Sequence, residues 1–271
     1  MFKPYTSLLL VLWLLFSLPP CHAKGQNKRD SKNQMNVNKQ EYQSYTDTIT
    51  LNGHNFFYAC EGYGRPVILI HGNGGSHNDL ETMHRQLAQA GFLVYAMDSR
   101  GQGANKPVEE YHYKEMAEDV LSFIKAKKIS KPAIFGWSDG GIIALELESM
   151  HPGTYSMIVT SGANVTADNA IDPKVFDEIF GSSDSLPPLV RMMKEEPNMT
   201  SDDLQRIKCP TLICAGENDL ILPEHTRFIA ENIPGAKMLI LPGEDHGSHI
   251  WHNPKMGNIV LKFMKEAEQK Q

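Results

Sequence analysis

Apolar and polar residues alternate from Tyr45 to Leu51 and again from Asn55 to Cys60, and Asn52-Gly53, a dipeptide suited to the positive φ of a tight turn, joins the two stretches. An antiparallel hairpin is therefore predicted to open the fold. The next run, Pro66 to His71, is apolar almost throughout, as a strand covered on both faces must be, and it ends in the flexible stretch Gly72 to Gly75. Beyond it the periodicity switches repeatedly between helix and strand. Helices are predicted over Asn78–Ala90, Tyr113–Lys127 and Asp139–Met150, and strands over Phe92–Met97, Ala133–Trp137 and Ser156–Thr160.

Such alternation implies right-handed crossovers and a mainly parallel sheet with helices on both faces. It breaks at Gly162 and resumes at the strand Pro210–Ala215, followed by helix Glu224–Asn232, strand Lys237–Leu241 and a last helix Pro254–Gln269. The interruption, residues 163–208, carries short helical patterns around Pro173–Phe180 and Leu186–Lys194 and reads as a short helical lid inserted over the C-terminal edge of the strands. Its many acidic residues read as a solvated face, and its Phe and Met residues mostly as packing.

The N-terminus follows another logic. Lys3, the apolar run Leu8–Phe16 and then Pro19, Pro20 and Ala23 read as a signal peptide over residues 1–23, with export to a periplasm or the exterior. The apolar run is about half of the ~20 residues that span a bilayer. A lipid-anchored form would use Cys21, although Pro20 fits poorly before such a site. Residues 24–41 are polar, with too little apolar surface to offset the cost of ordering, and read as a disordered leader. One catalytic domain over 42–271 is expected, a size that a single core accommodates.

Composition narrows the partners. The chain has 26 basic and 32 acidic residues and a net charge of -6, with no basic stripe of the kind that binds nucleic acid. Beyond Cys21, cysteines stand only at 60, 209 and 214, an odd number without metal-like spacing, and are expected to be buried free thiols.

Chemistry concentrates at Gly136-Trp137-Ser138-Asp139-Gly140, a G-x-S-x-G pattern lying directly between a predicted strand and a predicted helix. Small residues on either side permit the strained turn that exposes a serine hydroxyl, and the helix N-terminus favours developing negative charge. A serine hydroxyl needs a base to accept its proton. His246, in the loop Gly243–Gly247 after the last strand, is placed to reach back over the sheet edge; His249 is its rival, and His71 reads as structural support. The orienting acid is Asp219, in the loop after the penultimate strand, with Asp168 as the alternative and Glu217 read as structural. Backbone N–H groups of Asn73 and Asp139 are the expected oxyanion donors. Trp137 is a candidate substrate contact.

Together His71-Gly72, Asp98-Ser-Arg-Gly-Gln-Gly103, Gly136–Gly141, Gly216-Glu-Asn-Asp219 and Asp245-His246-Gly247 resemble the α/β-hydrolase superfamily over nearly all of residues 42–269. The order Ser, Asp, His is the one that fold uses. Gly-Trp-Ser-Asp-Gly-Gly-Ile142 with Gly162-Ala-Asn164 is similar to the valacyclovir hydrolase or biphenyl hydrolase-like branch. That resemblance implies hydrolysis of carboxylic esters, including aminoacyl esters, with no metal or organic cofactor, and a small-molecule substrate whose ammonium group could meet Asp139. Lactone, amide and carbon–carbon hydrolysis use a similar triad and stay open. A catalytically silent binding protein on the same fold is the rival from another class.

Overall fold

The computed structural model describes residues 41–181 and 186–269; the expected signal peptide, the leader up to residue 40 and Cys21 lie outside them. Eight strands form one sheet: β1 (Gln43–Leu51), β2 (His54–Gly62), β3 (Arg65–Ile70), β4 (Phe92–Met97), β5 (Ala133–Trp137), β6 (Met157–Ser161), β7 (Thr211–Asn218) and β8 (Lys237–Asp245). Their order is β1-β2-β4-β3-β5-β6-β7-β8. Only β2 runs against its neighbours: it is antiparallel to both β1 and β4, and every later pairing is parallel. Asn52 and Gly53 form the opening turn at φ 49° and 81°, left-handed at both positions as a two-residue hairpin needs.

The described helices are α1 (Glu81–Gln89), α2 (Tyr113–Ala126), α3 (Asp139–Met150), α4 (Pro173–Phe180), α5 (Pro188–Glu195), α6 (Ser201–Gln205), α7 (Pro223–Asn232) and α8 (Lys255–Glu268). A 3₁₀ turn at His77–Leu80, capped by Ser76, leads into α1. Alternate strand residues divide the core into two layers, as the period of two along a strand requires. Ile68, Ile70, Ile134, Ile158 and Ile213 pack with residues of α2, α3 and α7. Val67, Leu69, Phe135, Val159 and Leu212 pack with residues of α1 and α8. Cys60, Cys209 and Cys214 are free and buried, and the five-residue spacing of the last two puts Cys209 in the first layer and Cys214 in the second.

Three details depart from the reading of the sequence. Strands β7 and β8 run on to Asn218 and Asp245, where a register shift after Gly216 lets those two residues pair. The segments expected as loops after Ala215 and Leu241 are thus partly strand. The third is α6, held by a capping box in which Thr200 and Asp203 exchange hydrogen bonds across the first turn. Between β6 and β7 the chain carries α4, α5 and α6, and it is tied down by a bridge from Thr166 to Asn198 and by the Glu196 carboxylate, which accepts from the Tyr113 N–H at 3.1 Å.

Candidate active site

Strand β5 delivers Ser138 to the C-terminal edge of the sheet, and the chain turns at once into α3. The turn is tight: Ser138 lies at φ 53°, ψ -119°, and its N–H donates to the Ser161 carbonyl at 2.8 Å. Only glycine fits the flanking positions. A Cβ on Gly136 would stand 2.2 Å from the Gly140 carbonyl oxygen, and one on Gly140 would stand 2.2 Å from that of Ile70. Backbone strain of this kind costs about 1–3 kcal/mol and persists where the surroundings fix it.

Asp219 and His246 each lie one residue past the paired Asn218 and Asp245, so the extension of β7 and β8 sets acid and imidazole side by side. His246 Nδ1 is 2.6 Å from Asp219 Oδ1, and its Nε2 is 3.0 Å from Ser138 Oγ. The Asp219 side chain is 1% exposed. Its carboxylate also accepts from the Gly216 N–H at 3.0 Å and the Ile221 N–H at 3.1 Å. Burial alone would raise the Asp219 pKa, but the neighbouring imidazole and these donors outweigh it and hold the carboxyl below its ordinary value. For His246 burial favours the neutral ring, yet the adjacent Asp219 wins and the pKa is raised.

The remaining candidates take other places. His249 Nε2 lies 2.7 Å from Ser161 Oγ, wholly buried. His71 accepts from the Ser99 N–H through Nε2 at 2.9 Å, with Nδ1 2.7 Å from the Gly72 carbonyl oxygen, so it braces the end of β3. Glu217 accepts from the Gly243 N–H at 2.8 Å, across the β7–β8 extension. Asp168 lies on the wall of a cleft of about 230 Å³ that Tyr113, Asn164, Ile171, Phe176 and Met193 also line.

Trp137 requires a correction as a substrate contact. The alternation along β5 turns it, with Phe135, toward the layer of α1 and α8, where it is buried and meets Trp251 edge-on at 4.8 Å between ring centroids. Its indole Nε1 donates to the His246 carbonyl at 2.8 Å and so supports the histidine loop.

Asp139 is the first residue of α3, so its N–H has no carbonyl to reach within the helix. Its side chain is occupied. Oδ2 accepts from Asn73 Nδ2 at 2.9 Å, and Oδ1 accepts from the Tyr113 hydroxyl at 2.8 Å. The residue is 2% exposed, and burial pushes its pKa up to about 6. The loop bearing Asn73 is fixed further by the Gly74 N–H, which donates to Gln102 Oε1 at 2.7 Å. Tyr113 and Gln102 escaped the sequence reading because nothing in the spacing of residues 73, 102, 113 and 139 shows that they converge. Among the described residues no group of three or more His, Cys, Asp or Glu is placed to hold a metal ion.

A family model described as alpha/beta hydrolase fold matches residues 65–186. The chain is similar to human serine hydrolase BPHL, at 27% identity over 80% of this chain and 85% of that one. It is also similar to AB hydrolase superfamily protein YisY of Bacillus subtilis, at 25% identity over 74% of this chain and 92% of that one. Among solved structures, the meta-cleavage product hydrolase CumD of Pseudomonas fluorescens superposes with a TM-score of 0.69 at 20% identity, over 82% of this chain and 98% of that one. A thermophilic esterase of Thermogutta terrifontis does so with a TM-score of 0.66 at 18% identity, over 83% of this chain and 99% of that one.

Proposed function

We propose that this chain, which has the α/β-hydrolase fold, hydrolyses a small carboxylic ester or lactone through an acyl-enzyme on Ser138. The observation that carries this reading is the continuous line from Ser138 Oγ through the His246 ring to Asp219, with distances of 3.0 and 2.6 Å. A carboxylate at Nδ1 holds the proton there and leaves Nε2 free to accept the serine proton.

Ser138 Oγ attacks the ester carbonyl while His246 Nε2 takes its proton. The resulting oxyanion is met by the N–H of Asp139 and, from the neighbouring loop, that of Asn73. The tetrahedral species collapses, the bond to the leaving alcohol breaks, and His246 returns the proton to that alcohol. Water then attacks the acyl carbonyl, giving its proton to His246; release of the acid restores Ser138. The BPHL relative, itself called a serine hydrolase, supports this assignment of chemistry. Enzymes of this fold that open epoxides or remove halogens place an aspartate where this chain has Ser138. A leader over residues 1–23 would deliver the activity outside the cytoplasm.

The test is hydrolysis of a panel of p-nitrophenyl esters, aminoacyl esters and lactones by the protein and by Ser138→Ala. Activity that disappears with the serine supports the reading. A protein whose Ser138 takes up a fluorophosphonate but which cleaves no ester has an amide or carbon–carbon substrate instead. A folded protein with no uptake at Ser138 is not a serine hydrolase.

A further inference from the structure

Asp139 sits where its own N–H and its own carboxylate pull in opposite directions. The N–H suits an oxyanion, while a carboxylate beside a developing negative charge opposes it. A residue of this kind needs a reason beyond the helix N-terminus, since a small neutral residue would supply the same N–H. The side-chain contacts provide one. Oδ2 holds the amide of Asn73, the residue whose own backbone belongs to the opposite wall of the site, and Oδ1 holds the hydroxyl of Tyr113 at the start of α2. The same Asn73 Nδ2 stands 3.5 Å from the Leu189 carbonyl of α5. The carboxylate therefore lies between loop, nucleophile helix and α2, buried, with one donor on each oxygen. With 2% of the residue exposed and a donor already on each oxygen, the carboxylate presents little surface to a substrate ammonium.

We infer that Asp139 is a positioning residue: its carboxylate ties the Asn73 loop to the first turn of α3 and so fixes the spacing of the two backbone donors, rather than receiving a cationic group of the substrate. This inference rests on the acyl-enzyme reading above. It predicts that substrates need no positive charge, and that losing the tie harms the chemical step on every ester alike.

The experiment compares the wild-type protein with Asp139→Ala, Asn73→Ala, the double variant and Asp139→Asn. Each is assayed on p-nitrophenyl acetate and on an aminoacyl p-nitrophenyl ester, and for the rate at which a fluorophosphonate labels Ser138. Complete loss of one such donor typically costs ~10²–10³-fold, so slackening the tie should lower kcat about 10- to 100-fold. The expected loss is equal on both esters, with KM within about twofold, and the labelling rate falls in step. The double variant should be close to the slower single one, because each single variant already removes the Asn73–Asp139 contact. Asp139→Asn, which keeps one accepting oxygen, should recover part of the rate. A loss confined to the aminoacyl ester and carried by KM overturns the inference and makes Asp139 a cation receptor. Unchanged labelling in both single variants overturns it as well, while leaving the acyl-enzyme reading intact. Failure of the wild-type protein to label removes that reading and the inference with it. Asn73→Ala, at a partly exposed loop, keeps the test open should Asp139→Ala not fold.

Discussion

Gly162 lies against the edge of the His246 ring: a Cβ placed on it would come within 2.6 Å of Cε1 and 2.8 Å of Nδ1, with Asp219 Oδ1 at 3.5 Å. Its φ of +65° is itself unfavourable for any other residue by roughly 1–2 kcal/mol. The backbone just past β6 thus forms the surface on which the imidazole rests. Gly162→Ala should fold with a lowered thermal midpoint, by about 2–8 °C. It should lose about 100-fold in kcat, since a misplacement near 1 Å costs that much. Thermal unfolding and ester turnover on one preparation check both figures.

The strained serine gives a second expectation. Ser138→Ala and Ser138→Gly should both be inactive, but glycine accommodates φ 53° without a Cβ in the way. The glycine variant should therefore be the more stable of the two, by about 1 kcal/mol. Urea unfolding of the two proteins side by side measures the difference.

The proposed acyl transfer requires neutral His246, whose pKa the Asp219 carboxylate raises against the opposing effect of burial. Activity should fall as pH drops through a midpoint above the ordinary histidine value of 6.5. Asp219→Asn removes the charge that raises it, so the midpoint should move to lower pH while kcat falls by about 10⁴-fold, as when the wrong tautomer is presented. A pH profile of kcat/KM for both proteins checks the sign of the shift.

Glu146, on α3, is 3% exposed, and its pKa is raised to about 7 by burial, against the attraction of Lys114 and with the help of Asp203 and Glu196. A carboxyl whose folded pKa exceeds its unfolded one binds its proton more tightly when folded. Stability therefore declines as pH rises from about 4.5 to about 7 and stays reduced above. Glu146→Gln should match the native protein near pH 4 and exceed it at pH 8 by about 1–3 kcal/mol. Denaturant unfolding at the two pH values decides it.

Trp137→Phe keeps the ring in the layer of α1 and α8 but removes the donor to the His246 carbonyl. A net hydrogen bond is worth about 1 kcal/mol, and a looser histidine loop should lower kcat about tenfold with little change in KM. Steady-state kinetics with thermal unfolding separates the two effects.

Much of this arrangement was legible in the order of residues because each part has a local cause. The alternation of helical and strand periods gave the sheet and its two helical faces. Asn52-Gly53 gave the hairpin, and G-x-S-x-G between strand and helix gave the elbow. Ser138, Asp219 and His246 could be named because each directly follows a strand or its extension, and strand ends gather along one edge of a parallel sheet. What escaped depends on distance in sequence. The tie among Asn73, Tyr113 and Asp139 joins three separate segments, so no window of sequence contains it. The pairing of Asn218 with Asp245 lies beyond the strand ends predicted at Ala215 and Leu241, because β7 passes Gly216 through a shift of register that no apolar pattern marks. Trp137 stands next to the serine in sequence, but counting alternate positions from Phe135 turns it into the other layer. The capping box at Thr200 and Asp203 was present in the sequence and marks α6.

The buried thiols of Cys60, Cys209 and Cys214 can serve as internal stopwatches. A thiol reacts as its thiolate, and burial pushes Cys209 up to about 12 and Cys214 and Cys60 above their ordinary values. An alkylating reagent must therefore wait for the surrounding structure to part. Because Cys209 and Cys214 lie in opposite layers of the sheet sandwich, their separate modification rates, read by mass spectrometry of digested protein, time the opening of each layer. Equal rates describe a molecule that comes apart all at once; unequal rates identify the layer that yields first.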